Sequence, residues 1–291
     1  MSWRVVVISK RSKLDLKMNY MVVRQELETK KIHLGEISVL LIEDTSVSLT
    51  ASLLCELVKK KIKVVFCDEK RNPCSELVAY YGSHDTSAKI RNQISWEKEI
   101  KELVWTEIVT EKIRKQREIL LALGLEEANL LSQYIQQGIH NDETNREGHA
   151  AKVYFNALFG MEFTRTTDNN INAALNYGYS ILLSAFNREI VANGYITQLG
   201  LFHDNMFNQF NLGSDLMEPF RPLVDRLVSN MRLECFAHEE KMMIVNILNG
   251  EVYIDGKWYV VNNAIKIYCK SIFEALNYKD ISLIRFYRNE L

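Results

Sequence analysis

Three stretches of the chain hold residues whose types and spacing could carry chemistry. In Thr144-Asn145-Arg146-Glu147-Gly148-His149-Ala150-Ala151 a carboxylate stands between an arginine and a glycine. Glu147 could there bind a metal or a phosphate. The plainer reading is a capping box of Thr144 and Glu147, each side chain satisfying a free backbone N–H of a helix's first turn. His149 is two residues from Glu147 and so faces another side of such a helix. In Gly200-Leu201-Phe202-His203-Asp204-Asn205, His203 is a candidate ligand or catalytic group, and its plainer reading is a satisfied, partly buried imidazole. The amides that follow, Asn205, Asn208, Gln209 and Asn211, alternate with Phe207 and Phe210, a mixture that lines a polar site or simply anchors a loop. In Ser214-Asp215-Leu216-Met217-Glu218-Pro219-Phe220-Arg221-Pro222 two acids stand three apart, which puts both on one side if the segment is helical. The alternative is two acids favouring the positive end of the next helix. Arg221 follows Glu218 by three.

Carboxylates with one imidazole, drawn from separated segments, suit Mg²⁺ or Mn²⁺, and the nitrogen donor tilts the preference toward Mn²⁺. Zinc fits less well, because the sequence has neither a cysteine cluster nor a His-Glu-x-x-His helix. It has no Walker-type or dinucleotide-binding glycine loop either. Five scattered cysteines without a C-x-x-C pair read as buried thiols.

The elements that must position these residues divide the chain. Val5–Ile8, Tyr20–Val23, Val39–Ile42 and Val64–Cys67 are short β-branched or apolar runs of strand length. Between them, Thr50 or Ser48 can cap a helix carrying Leu53, Leu54, Leu57 and Val58 on one face. Gly82-Ser83-His84-Asp85-Thr86-Ser87 reads as a linker. Beyond it helical periodicity dominates, in Ile100, Leu103, Val104 and Ile108, in Leu175, Tyr179, Leu182, Phe186 and Ile190 ending at Asn193-Gly194, and in Phe220, Leu223, Val224, Leu227, Val228 and Met231. Only three prolines occur, and Pro219 and Pro222 fall in the first turn of the last of these helices, where proline is tolerated. The expected fold class is α+β: a small N-terminal β-sandwich over residues 1–85, linker included, and a larger all-α domain over 86–291.

A formal net charge of -1 does not advertise a nucleic-acid binder, although residues 1–70 carry a mild basic surplus. No apolar run approaches the roughly 20 residues that span a bilayer, and the N-terminus lacks signal-peptide features, so a cytoplasmic protein without a membrane partner is expected.

The residues also carry a resemblance. Asn145-Arg146-Glu147-Gly148-His149-Ala150-Ala151 with Tyr154-Phe155-Asn156, Ile171-Asn172-Ala173 with Leu175-Asn176-Tyr177-Gly178-Tyr179, and Asp215 through Asp225 together resemble the CRISPR-associated spacer-acquisition integrase family, in its type II-A branch. Trp3-Arg4, Ser12-Lys13-Leu14 and Gly82-x-His84-Asp85 look like that branch too. The resemblance implies a DNA endonuclease and integrase whose catalytic metal, Mg²⁺ or Mn²⁺, is held by Glu147, His203 and Glu218, with Asp215 in support. Many members have aspartate where Glu218 stands. Arg221 is a candidate for neutralising a DNA phosphate. The implied reaction joins the 3′-hydroxyl of a captured double-stranded DNA fragment, the prespacer, to a CRISPR repeat. The implied assembly is a homodimer joined through the β-sandwich, two such dimers flanking a dimer of the second adaptation protein (Cas two). In type II-A systems the effector nuclease and a ring-shaped DNA-end-binding protein are further partners. A nuclease of branched DNA and a non-catalytic scaffold are the competing classes, and the intact Glu147, His203 and Glu218 argue against the scaffold.

Overall fold

The computed structural model of the chain describes residues 4–79, 83–136 and 146–288. Trp3, Gly82, Thr144 and Asn145 lie outside them, and so does the expected capping box at Thr144. The chain opens with β1 (Arg4–Ile8), β2 (Lys13–Lys17), β3 (Tyr20–Arg24), β4 (Thr29–His33), β5 (Ile37–Ile42) and the two-residue β6 (Ser48–Leu49). Helix α1 (Ala51–Lys59), β7 (Lys63–Cys67) and β8 (Pro73–Leu77) follow. The strands form two sheets, one in the order β1-β5-β7-β8 and the other β4-β3-β2-β6. In the first, β1, β5 and β7 are parallel and β8 is antiparallel to β7; in the second, β2, β3 and β4 form an antiparallel meander. The sandwich is thus mixed. A parallel pair needs a crossover, and α1 supplies the one between β5 and β7.

Alternation along β5 shows what the first sheet does. Successive side chains point to opposite faces. Leu40 and Ile42 turn inward with Val6, Ile8 and Val64 against Leu14, Met21 and Val23 of the second sheet, and Leu53 and Leu57 of α1 join them. Val39 and Leu41, with Val65 and Cys67, turn the other way and merge into the core of the helical half. All six residues of β5 are therefore buried, which is why its sequence is apolar without alternating. Helix α1 begins where expected, with the Thr50 hydroxyl accepting from the Leu53 N–H at 3.4 Å.

The remainder is mostly helical: α2 (Thr86–Ile94), α3 (Lys98–Ala122), α4 (Ala128–Gln136), α5 (Arg146–Phe159), α6 (Asn170–Ala192), α7 (Asn211–Leu216), α8 (Arg221–Ser229), α9 (His238–Val245) and α10 (Val261–Tyr278). No described helix is long and apolar enough to cross a membrane. Helix α6 lies at the centre, packed on β7 and on α8, α9 and α10. Its stripe Leu175, Tyr179, Leu182, Phe186 and Ile190 is buried throughout, and the chain leaves it at Gly194 with φ +87°, a left-handed turn that glycine accepts freely. In α3, Ile100, Val104 and Ile108 are buried whereas Leu103 is exposed. The final stripe is interrupted early: Glu218–Phe220 forms a separate 3-10 turn before α8, and Met231 lies beyond that helix. The helical half also holds a hairpin that its periodicity did not suggest, β9 (Glu251–Ile254) and β10 (Lys257–Val260), closed by Asp255-Gly256 with both residues at positive φ.

Because β5 is packed on both faces, the two halves should share stability. Leu41→Ala is expected to cost about 2–5 kcal/mol and to lower a single unfolding transition seen by both near- and far-UV signals; a change confined to one of two separate transitions would show that the halves unfold independently.

Candidate active site

The site begins with Asp215, whose carboxylate is fully buried at the end of α7. A buried carboxylate needs donors, and the loop before α7 supplies them. The backbone N–H groups of Leu201, Phe202 and His203 donate to Asp215 at 2.6, 3.0 and 3.3 Å, and the His203 Nδ1 closes on the same carboxylate. The loop is wrapped around one side chain. Gly200 makes this possible: a Cβ there would lie 2.7 Å from Asp215 Oδ2 and closer still to the His203 carbonyl. The buried Trp105 of α3 forms the wall, with Phe202 stacked on it at 4.6 Å between ring centroids and His203 edge-on at 5.6 Å. His203 is thereby held with Nδ1 committed and Nε2 as its remaining ring nitrogen, the arrangement in which a carboxylate orients a histidine ligand. The hydrogen bond to Asp215 raises the His203 pKa against the effect of burial, and the charges of Asp215, Glu218 and Glu147 add to the rise.

Glu218, three residues on, is buried in the 3-10 turn and faces cations. Its Oε1 is 2.9 Å from Arg221 Nε and its Oε2 is 2.5 Å from Lys112 Nζ. The Lys112 ammonium also donates to Glu147 Oε1 at 2.5 Å, so it bridges the first turn of α5 and the turn before α8. Burial works against the charge of Glu218, but Arg221 and Lys112 outweigh it and hold the carboxyl below its ordinary range. Burial likewise opposes the Lys112 ammonium, and Glu218 and Glu147 together leave its pKa raised. Arg221 stacks on the Tyr179 ring at 4.7 Å, and the Tyr179 hydroxyl donates to Asp225. Burial pushes the Asp225 carboxyl up to about 6, in part offset by that hydrogen bond and by Arg221.

Glu147, His203, Asp215, Glu218 and Arg221 thus come from three distant segments into one charged cluster. Asp215 and Glu218 divide the work: the first orders a loop, the second meets the cations of α3 and α8. His149 and Asp204 are exposed and take no part. The amides of 205–211 shape their own loop, as when Asn205 and Asn208 accept from the N–H groups of Phe207 and Phe210, and Phe207 is exposed.

Sequence reasoning missed Lys112. Its address was the available signal: it stands four residues after Ile108 and seven after Trp105, on the apolar stripe of α3.

Two carboxylates and one imidazole fit Mg²⁺ or Mn²⁺ by donor chemistry, and the only cation described at Glu218 Oε2 is the Lys112 ammonium. The described arrangement is nonetheless one of carboxylates around an ammonium, and no group of three metal-binding side chains is gathered for an ion among the described residues.

Removing one carboxylate from this buried cluster leaves its cations poorly balanced. Glu218→Gln is expected to cost about 3–5 kcal/mol near neutral pH. With its folded pKa depressed from 4.5, Glu218 contributes stability that is present above that value and lost as pH falls through the folded one. The raised pKa of Lys112 leaves its contribution intact below 10.5 and lost only as pH climbs through the folded value. Urea titrations should therefore show the gap between wild type and Glu218→Gln closing below pH 4.5; a gap constant with pH would mean that the cluster is not held by charge.

Comparison with known proteins agrees with this architecture. The profile of the family described as "CRISPR associated protein Cas1" matches residues 5–234. A CRISPR-associated endonuclease Cas1 from Neisseria meningitidis is 34% identical over 232 residues, covering 79% of this chain and 76% of its own. Among solved structures, a Cas1 protein from Thermotoga maritima aligns with a TM-score of 0.76 at 20% identity, covering 94% of this chain and 97% of the other. A casposase bound to its integration product aligns at 0.75 and 19% identity, covering 96% and 91%. The sandwich, the helical half and the profile match over most of the length lead to one assignment: the chain belongs to the CRISPR-associated Cas1 family.

Proposed function

We propose that this protein cuts and joins DNA with a divalent metal, as the integrase of CRISPR spacer acquisition. The observation that carries the reading is the convergence of Glu147, His203 and Glu218 on one cluster, in a chain whose 34%-identical relative is named an endonuclease. Glu147, Glu218 and the His203 Nε2 would hold Mg²⁺ or Mn²⁺, and Asp215 would fix the imidazole through Nδ1. A divalent ion bound there supplies Lewis acidity, polarising a phosphate and stabilising a leaving oxygen.

The nucleophile comes from DNA. A 3′-hydroxyl of the prespacer attacks a phosphodiester at the repeat boundary, one P–O bond forms as another breaks, and the displaced 3′-oxygen takes up the proton. This explains why the chain needs no activated serine or cysteine. In endonucleolytic cleavage water takes the place of the hydroxyl. Arg221, whose guanidinium is stacked on Tyr179 and so pre-oriented, would meet phosphate charge. Specific integration also needs two attack sites at a fixed spacing, which one polypeptide with one centre cannot set. The reading therefore includes a homodimer joined through the N-terminal sheets, Cas two between two such dimers, double-stranded DNA and, for a type II-A system, the effector nuclease and the ring-shaped end-binding protein.

With Cas two, a labelled fragment and a repeat-bearing plasmid, the wild type should yield joined product. Glu147→Ala should lower joining by at least about a hundredfold while the chain still folds and binds its partner; retained joining rejects the site, and nicking without joining favours a nuclease.

A second expectation concerns pH. Metal binding needs a neutral His203 Nε2, and the raised pKa means that protonation begins above 6.5. Activity should fall as pH drops through that value, and Asp215→Asn should move the acid limb to lower pH even as it lowers the maximum. A flat profile between about pH 5.5 and 8 would contradict the role of His203.

A further inference from the structure

Lys112 is a buried lysine whose ammonium lies 2.5 Å from carboxylate oxygens of both Glu147 and Glu218. These are the two acids that the proposed function assigns to a divalent ion, and the inference made here rests on that assignment. A lysine could be buried beside either acid alone. Its position between the two, reached from α3 when the acids come from α5 and from the turn before α8, is the position of a bridging cation.

The surroundings bear this out. Two carboxylates brought together in a buried site repel and must be balanced. Arg221 partners Glu218 from α8, and among the described ion pairs Lys112 is the group that joins Glu218 to Glu147. Lys112 offsets the mutual repulsion of Glu147 and Glu218 as they stand. A divalent ion entering between them with Lys112 in place would be set directly against an ammonium in a poorly solvated site, where like charges repel strongly.

We propose that Lys112 is a tethered counter-cation, holding Glu147 and Glu218 together in the metal-free protein and yielding its place between them to the divalent ion. The device has two consequences. The site is assembled before metal arrives, because the carboxylates are already drawn together. The ion's net affinity is reduced, because it must displace a covalently attached competitor. Once displaced, the ammonium remains beside the site at the end of a flexible stem, as a positive charge for an incoming phosphate.

Two substitutions separate charge from bulk. Lys112→Met keeps the length and removes the charge; Lys112→Arg keeps the charge. Mn²⁺ binding is measured by calorimetry without DNA, and thermal unfolding is followed with and without Mn²⁺. Lys112→Met should melt below wild type in chelator, bind Mn²⁺ at least about tenfold more tightly and recover its stability when Mn²⁺ is added. Lys112→Arg should melt near wild type in chelator and bind Mn²⁺ no more tightly than wild type. A Lys112→Met chain unfolded in chelator but folded in Mn²⁺ supports the proposal in stronger form, and one that stays unfolded in saturating Mn²⁺ overturns it. Unchanged affinity and unchanged metal-free melting in Lys112→Met also overturn it. Glu218→Gln tells the two claims apart. If it abolishes Mn²⁺ binding while Lys112→Met is silent, the ion site stands and the counter-cation does not; if it leaves Mn²⁺ binding intact, the ion site itself is wrong and the counter-cation falls with it.

Discussion

Carboxylates that are to share a cation must be held close, and holding them close away from water costs free energy until a positive charge lies between them. Much of the helical half can be understood as the means of meeting that condition. Glu147 enters from α5, Glu218 from the turn ahead of α8, and Lys112 reaches both from α3. Each acid therefore depends on a different helix being in place. A cluster tied in this way is formed only when α3, α5 and α8 have docked, so it is conditional on the tertiary fold and not on any local motif.

The rest of the architecture supports those three helices. Helix α6 gives α8 a surface to pack on, and its Tyr179 serves both sides of the cluster, stacking with Arg221 and donating to Asp225. Helix α3 contributes Trp105 as well as Lys112, so the same element that brings the bridging ammonium also forms the wall on which Phe202 and His203 rest. The central strands β5 and β7 of the first sheet turn Val39, Leu41, Val65 and Cys67 into the core of the helical half, and β7 packs against α6. Energetically the site is a polar enclave whose charges are compensated locally, surrounded by a core that would otherwise be apolar.

Much of this was legible in the amino-acid order. Residue type and nearby glycine or proline turns marked Glu147, His203, Asp215, Glu218 and Arg221 as candidates, each with a plain structural reading beside it, and their joint assignment to one site came from the family resemblance. The helices α6 and α8 were legible because one face of each is continuously apolar, and β5 and β7 because both their faces are buried. The strands that escaped notice have a wet face: β4, Thr29-Lys30-Lys31-Ile32-His33, buries little and reads as a loop. The β9–β10 hairpin is not part of the expected all-α half, although its Asp255-Gly256 turn is a strong local signal, because its strands are only four residues each and too short to set a clear period against the helical pattern that dominates beyond residue 85. Lys112 escaped for a physical reason. A lysine on a helix is ordinarily a solvated charge, and only the arrival of two carboxylates from elsewhere in the chain makes its burial tolerable. Long-range compensation of that kind has no local signature beyond a charged residue at an apolar position.

The account turns on Glu147, His203 and Glu218 sharing one divalent ion. A crystal of the protein soaked in Mn²⁺, with anomalous scattering recorded at the manganese edge, tests this directly. The account predicts a single strong anomalous peak within bonding distance of one oxygen from each glutamate and of the His203 Nε2. A fully occupied Mn²⁺ peak bound elsewhere, with Lys112 still seated between the two carboxylates, would contradict it.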